Sequence, residues 1–304
     1  MAKILDCLGL GIAPVDILYQ VDKFPIPGAK IDAVSLTIQG GGPIPTAMAT
    51  LGKLGMKTGL IAAAGKDLFG DFVIKELKRF HVDTSYILRK DSSTAVAAGW
   101  FEKRSGRRTI ILDLKIRVKP EELILEKLPV CRAVHLDGRD LAACMKLARW
   151  AKKKGVTVVF DIGARRNDVS PIFPLVDHLV CAEEFALPFT GARNAKRAVE
   201  KLLILCPRTI IVTSGSKGAV GYSPSDGWVR QKAFRIQTID TTGAGDVYHG
   251  AYIYGMLSGW RLDKRMNFAA AAAALKCTRP GGRLGIPARG EVDKFLSGRR
   301  LMYD

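Results

Sequence analysis

Apolar positions along the chain fall into two patterns that take turns. Runs of strand length, namely ILDCLGLG (4–11), TGLIAAAG (58–65), AVHLDG (133–138), VTVVFDIG (156–163), DHLVCAEE (177–184) and RTIIVTSG (208–215), are mostly continuous in their apolar character. A parallel sheet covered on both faces needs such runs, because both sides of each strand meet a helix layer. Between them, IPTAMATLGKLG (44–55), LFGDFVIKELKRF (68–80), DLAACMKLARWAKKKG (140–155) and NAKRAVEKLLILC (194–206) space their apolar residues like helices. The alternation predicts a three-layer α/β/α fold, doubly wound around a mostly parallel sheet.

Two regions break the pattern. Residues 15–39 and 94–113 are rich in β-branched and aromatic side chains with partial alternation, and Ser105–Gly106 sits between two such runs as a hairpin turn would. They read as a small β-sheet standing off the main body, a lid; extra edge strands of the main sheet are the alternative. No internal repeat or low-complexity linker divides the chain, so residues 1–304 read as a single domain carrying that lid.

Composition narrows the class. At 304 residues, 48% hydrophobic and 25% charged, the chain is long enough and apolar enough to bury a large core. No apolar run approaches the roughly 20 residues of a membrane span, and the first residues, broken by Asp6 and Gly9, read as a strand rather than a signal peptide. The six cysteines contain no CxxC pair, and the four histidines show neither HxxxH nor HExxH spacing. A disulfide framework and a zinc site are therefore disfavoured, and a cytoplasmic setting is expected. The net charge of +18 is spread over scattered clusters (Arg107–Arg108, Lys152–Lys154, Arg165–Arg166, Arg299–Arg300) without interleaved aromatics. That argues against nucleic acid as a partner. It fits either plain solvated surface or a field that draws in small anions.

The densest chemistry lies in TIDTTGAGDVYHGAYIYG (238–255). A glycine-rich turn that opens a helix aims backbone N–H groups at one spot, where the helix dipole adds positive potential. Gly243, Ala244 and Gly245 keep that spot clear. Asp246 follows in the first helical turn, where a carboxylate can take a proton from a hydroxyl while the amides hold a phosphoryl group. Its weak basicity beside a helix N-terminus suits a loose transition state, in which deprotonation comes late. The alternative is an ordinary helix cap on a tight turn.

Commoner nucleotide motifs are missing. GLGIAP (9–14) lacks the third glycine of a dinucleotide fingerprint, and GLIAAAGKD (59–67) has the wrong spacing for a Walker loop. Three other stretches are suggestive. QGGGPIPTA (39–47) places three glycines before a helix, TSGSKG (213–218) follows a strand at its carboxyl end, and ALKCTRPGGRLGIP (274–287) closes a helix with a Gly/Pro-rich loop. Each alone also fits a tight element end.

In this order the segments resemble the ribokinase-like, or PfkB, family of carbohydrate kinases over nearly the whole chain. DTTGAGDVYHGAY fits that family's C-terminal signature at every restricted position, and GGGPIPTA fits the N-terminal one in part. The resemblance implies ATP-dependent phosphorylation of a sugar or similar alcohol with Mg²⁺. It makes Asp246 the base and the amides of Gly243, Ala244, Gly245 and Asp246 the anion hole. Asp16, with the backbone at Gly41 and Gly42, would hold the sugar's hydroxyls. Thr213, Gly215, Lys217 and Gly218 on one side, and Ala273 to Gly281 on the other, would flank the nucleotide. Glu184 would organise Mg²⁺ through water, and Asp240 and Thr242 would lie where some relatives bind a monovalent cation such as K⁺. Two positions depart from the pattern: Thr46 replaces a sugar-binding Asn, and Cys181 replaces the Asn of the Asn-x-x-Glu motif.

Within the family, GGGPxxTA, DTTGAGDVxHGA and ALKCTRPGGRxGIP look like a branch that includes sulfofructose kinases. Arg139, just after a strand, would then hold a phosphate or sulfonate on a ketose or furanose by paired charge-assisted bonds; an ordinary surface arginine is the alternative. A nucleoside kinase on the same fold and a non-catalytic sugar- or nucleotide-binding regulator stay open as second readings. The exposed edge of the lid would suit a homodimer.

Overall fold

A computed structural model of the protein describes residues 4–102, 108–163, 168–206 and 208–300. Its first strands are β1 (Ile4–Leu10), β2 (Val15–Val21), β3 (Ser35–Gly40) and β4 (Thr58–Gly65), followed by the short β5 (Val82–Asp83) and β6 (Ile87–Lys90). Then come β7 (Val96–Glu102), β8 (Arg108–Asp113), β9 (Val130–Leu136), β10 (Thr157–Ile162) and β11 (His178–Ala182). The last three are β12 (Thr209–Thr213), β13 (Ala219–Ser223) and β14 (Gly227–Gln231). The helices are α1 (Pro43–Lys53), α2 (Leu68–Arg79), α3 (Leu141–Lys153) and α4 (Glu183–Thr190). α5 (Ala195–Leu205), α6 (Ala244–Leu257), α7 (Leu262–Cys277) and α8 (Arg289–Arg300) complete the set.

The main sheet runs β14-β13-β12-β11-β10-β9-β1-β4-β5, with β6 also paired to β4. Every pairing from β5 and β6 to β12 is parallel, and only β13 and β14 join antiparallel. Strand periodicity assigns the faces. Along β10, Val158, Phe160 and Ile162 join the core beneath α3, α4 and α5, while Val159 joins the core beneath α1, α2, α6 and α7. Because each strand feeds both cores, the apolar runs are continuous, and each fully buried Val or Leu contributes about 1.5–3 kcal/mol.

After β1 the chain builds outward to β4 on one side and later places β9 on the other. The crossovers diverge there, so a crevice opens beyond the carboxyl ends of the central strands, where open α/β sheets bind ligands.

A separate four-stranded sheet has the order β3-β2-β7-β8, with β2 and β7 parallel. This decides between the two readings of residues 15–39 and 94–113: they pair with one another and not with the main sheet. The Ser105–Gly106 turn lies outside the described residues, as does Arg165–Arg166. One face of the small sheet carries Tyr19, Leu36, Ile38 and Ile111, all exposed. One strand end and four short strands differ from the sequence reading. The strand expected over 177–184 stops at Ala182, since Glu183 and Glu184 open α4, where acidic side chains complement the helix N-terminus. The short β5, β6, β13 and β14 lack the long apolar runs that betrayed the central strands.

Candidate active site

Helix α6 begins at the turn that the sequence singled out. Gly243 is its N-cap, with φ +72°, a left-handed conformation that a β-carbon would strain. The turn closes through the Ala244 amide to the Thr241 carbonyl (3.1 Å), and the Val247 amide donates to Gly243 (2.9 Å). Gly245 is exposed, and a β-carbon there would meet nothing within 4 Å. Asp246 is half-buried in the first turn. The amides therefore border open space rather than core, with a carboxylate at their rim.

A buried polar network fixes this turn. Asp240 accepts from the Thr242 amide (2.7 Å) and the Gly281 amide (2.8 Å), tying the strand-like segment before α6 to the loop after α7. Lys276, fully buried, donates to the Asp240 carbonyl (2.7 Å), with its ammonium 3.9 Å from the carboxylate. Farther along that loop, Arg283 is also fully buried. Its guanidinium donates to Glu76 Oε2 (2.6 Å), to the Gly41 carbonyl and to Thr46 Oγ1 (3.4 Å). Glu76 in turn accepts from the Gly40 amide (2.8 Å), and Gln39 accepts from Gly282 (2.9 Å). Asp16 and Asp246 are both close enough to act electrostatically on Arg283. One guanidinium thus joins the loop after α7, the glycines that lead from the small sheet into α1, and the two acids.

On the α1 side of α6, Asp16 projects from β2 over Gly41. A β-carbon on Gly41 would fall 1.9 Å from Asp16 Oδ1, so only glycine allows this approach. Gly42 caps α1 with φ +91°. Thr46 is enclosed, 3% exposed, with its methyl 3.6 Å from the place a β-carbon on Gly243 would take. Its hydroxyl faces Arg283. Arg139 follows β9, half-buried, its amide bonded to Asp137 Oδ1 (2.9 Å).

On the other side of α6, Thr213 ends β12 and bonds the Cys181 carbonyl (3.3 Å). Gly215 to Lys217 form a single 3₁₀ turn, and Gly218 (φ +97°) returns the chain to β13. Lys217 lies 3.4 Å from Glu183, and the neighbouring Glu184 is exposed in the first turn of α4. Ala273 is half-buried on α7, and Gly281 is buried with φ +76°. A hydrated Mg²⁺ suits Glu184, an exposed hard oxygen donor that leaves the ion most of its waters. Cys181 does not suit it: the thiol is fully buried, burial and then the charge of Asp161 push its pKa well up, and it donates to the Ile211 carbonyl. A shallow concavity lined by Ile4, Lys57, Lys78, His81 and Asp83 sits at the opposite, amino-terminal end of the strands, away from these residues.

Residues 5–289 match the pfkB family of carbohydrate kinases. The chain belongs to that family. It is 23% identical to the 5-dehydro-2-deoxygluconokinase of Geobacillus thermodenitrificans over 97% of its own length and 94% of the relative's. The Thermotoga maritima ribokinase structure superimposes with a TM-score of 0.85 at 26% identity, over 96% of this chain and 99% of that one. A structure of Arabidopsis thaliana ribokinase with ribose and ATP gives 0.83 at 24%, over 97% and 99%. The kinase has the ribokinase-like three-layer fold with its separate small sheet, and among the described residues no helix is long and apolar enough to cross a membrane.

Sequence reading missed the parts of this sugar kinase that hold the site in place: Gln39, Glu76, Lys276 and Arg283. A signal existed for two of them. Lys276 interrupts the apolar face of ALKC, and Arg283 sits between glycines in a loop that the fold buries. It also missed that two of the four histidines, His135 and His249, meet at Asp161, because the fold and not the spacing brings them together.

Proposed function

We propose that this sugar kinase moves the γ-phosphoryl group of ATP to a hydroxyl of a ketose or furanose that carries an anionic substituent. The observation behind it is that Asp16 and Asp246 converge on one buried guanidinium while the space over Gly245 is open. Asp16 and the Gly41–Gly42 backbone orient the acceptor's hydroxyls. Asp246 takes the proton of the attacking hydroxyl, and the amides of residues 243–246 receive the negative charge that builds on the phosphoryl oxygens. The small sheet closes over the acceptor and excludes water, which would otherwise be phosphorylated in its place. The 213–218 turn and the Ala273–Gly281 segment flank the nucleotide, with Glu184 directing the waters of Mg²⁺. Bound there, the ion would neutralise the β- and γ-phosphates. Thr46 is enclosed, so its contribution to the acceptor is through the wall it forms.

Arg139 supports the anionic substituent, because a guanidinium beyond the end of a central strand offers paired bonds to a phosphate, sulfonate or carboxylate. Comparing turnover of fructose, ribose, fructose 6-phosphate, sulfofructose and 5-dehydro-2-deoxygluconate tests this directly. At least one anionic acceptor is expected to exceed every neutral sugar in kcat/KM by about tenfold or more, and Arg139→Gln to remove most of the advantage. Neutral sugars outperforming all the anionic ones would defeat the assignment.

The same assays carry a second expectation. Lys276 already places a buried positive charge beside Asp240, and both Asp240 oxygens accept backbone amides. We assign the charge at that position to Lys276 in preference to a bound cation at Asp240 and Thr242. Rates in Na⁺ and K⁺ buffers of equal ionic strength should agree within about twofold, which is under 0.5 kcal/mol. A tenfold activation by K⁺ would restore the cation site.

A further inference from the structure

Beneath the first turns of α6 three polar side chains are sealed from solvent. His135 comes from β9, Asp161 from β10 and His249 from α6, with relative exposures of 0%, 3% and 5%. Their polar atoms all lie within 4.8 Å of one another. His249 Nδ1 is 2.9 Å from Asp161 Oδ2, though out of line for a good hydrogen bond, so the contact is chiefly one of charge. His135 turns Nδ1 to the Val159 carbonyl at 3.3 Å. Burying such groups is unfavourable in a way that burying an apolar trio is not. Their location suggests what is gained. His249 is three residues beyond Asp246, and on a helix residues i and i+3 are neighbours on one face.

We propose that the buried His249–Asp161 pair is a positioning device for Asp246: a cationic imidazole one helical turn below the base, held charged by Asp161, keeps the Asp246 carboxylate ionised. The proposal rests on reading Asp246 as the base. Burial lowers the proton affinity of His249, but the nearby charge of Asp161 in the first place, and that of Asp246 after it, raise it above the ordinary histidine value. His135 goes the other way. Burial and then the neighbouring His249 hold it at about 4, so it is neutral and His249 is the one cation of the cluster, opposed by the Asp161 carboxylate. The other groups packed on α6 are committed elsewhere. Lys53 of α1 donates to the Ile286 carbonyl, and in α7 Arg265 donates to the Trp260 carbonyl and Lys276 to that of Asp240. Tyr248, on α6 itself, stays protonated because burial raises its pKa. Arg283 is the second cation that Asp246 faces, with Asp16 opposing it.

The sign follows. A nearby positive charge favours the carboxylate, so removing it raises the proton affinity of Asp246. The acid limb of the kcat/KM–pH profile, where activity falls as the base is protonated, should then move to higher pH. In the full-length enzyme, with ATP and whichever panel sugar it turns over, His249→Gln is expected to shift that limb upward by about one pH unit. Asp161→Asn should shift it the same way but by less, since His249 loses its proton while the opposing Asp161 charge is removed with it. A purely structural role would lower kcat or stability without moving the limb.

If either variant fails to fold, ¹⁵N-histidine NMR on the wild-type chain and on Asp246→Asn decides. His249 should be cationic and His135 neutral at pH 7, and the His249 titration midpoint should fall in Asp246→Asn, because the coupling is reciprocal. A neutral His249 at pH 7, an unmoved midpoint, or superimposable pH profiles in active variants overturns the proposal. Normal turnover by Asp246→Asn would instead show that the base reading itself had failed, and a dead Asp246→Asn beside an unshifted His249→Gln would confine the failure to this inference.

Discussion

Replacing Arg283 by Met is expected to destabilise the kinase by about 3–5 kcal/mol, the usual cost of removing one partner of a buried ion pair. Urea unfolding of the full chain measures it. The side chain is fully buried, and its loss leaves three groups without their donor: the Glu76 carboxylate, the Gly41 carbonyl and the Thr46 hydroxyl. Glu76 would keep only the Gly40 amide among its bonds described above. Desolvating an uncompensated charge costs more than the volume lost in going from Arg to Met. Adding Glu76→Gln to Arg283→Met should recover part of the loss, since the stranded charge goes with it. The function should suffer as well, because Gly40 and Gly41 carry the chain from the small sheet into α1 beneath Asp16. The Michaelis constant for the sugar is expected to rise in any variant that still folds. A destabilisation below about 1 kcal/mol, the scale of a surface pair, would mean that the network is not what fixes the Gly40–Gly42 connection into α1.

The six central strands and the four helices between them were legible because each strand is buried on both faces, which makes its apolar run unbroken. The small sheet was legible as a composition change, although its parallel pairing of β2 with β7 was not, since that depends on a long connection that passes through β4, β5 and β6 of the main sheet. The acids and glycines of the candidate site are local features of the sequence as well. Gly243 needs a left-handed backbone and Gly41 admits Asp16, and such demands leave glycine in the sequence. The supporting charges could not be read. Arg283 and Glu76 are 207 residues apart, and a pair that far separated has no local pattern. For His135, Asp161 and His249 the sequence was mildly misleading, because spacing rules for histidines say nothing about residues that meet across two strands and a helix. Glu184 shows the opposite error. Its strand-like surroundings hid a helix start, yet its assigned position at the carboxyl end of β11 still brings it beside the 213–218 turn through the pairing of Ala182 with Thr213.

The largest catalytic effect is expected at Asp246. Asn has nearly the same size, but its amide cannot accept a proton. Loss of a positioned general base typically slows turnover by about 10²–10⁴-fold. The nucleotide should be held nearly as before, since the amides of 243–246 are backbone groups that the substitution leaves in place, and the missing charge at the helix N-terminus is worth about 1 kcal/mol or less. The effect therefore separates cleanly into kcat rather than ATP affinity, and an unfolded variant would betray itself by losing both.

The proposed phosphoryl transfer depends on one carboxylate facing an acceptor hydroxyl at the mouth of α6. Its most direct measurement is the single-turnover rate of Asp246→Asn, with ATP binding followed by calorimetry on the same preparation. The predicted result is turnover slower by at least about 10²-fold with ATP bound within about fivefold of wild type, a difference of about 1 kcal/mol or less. Turnover close to the wild-type rate, with ATP bound normally, would contradict it.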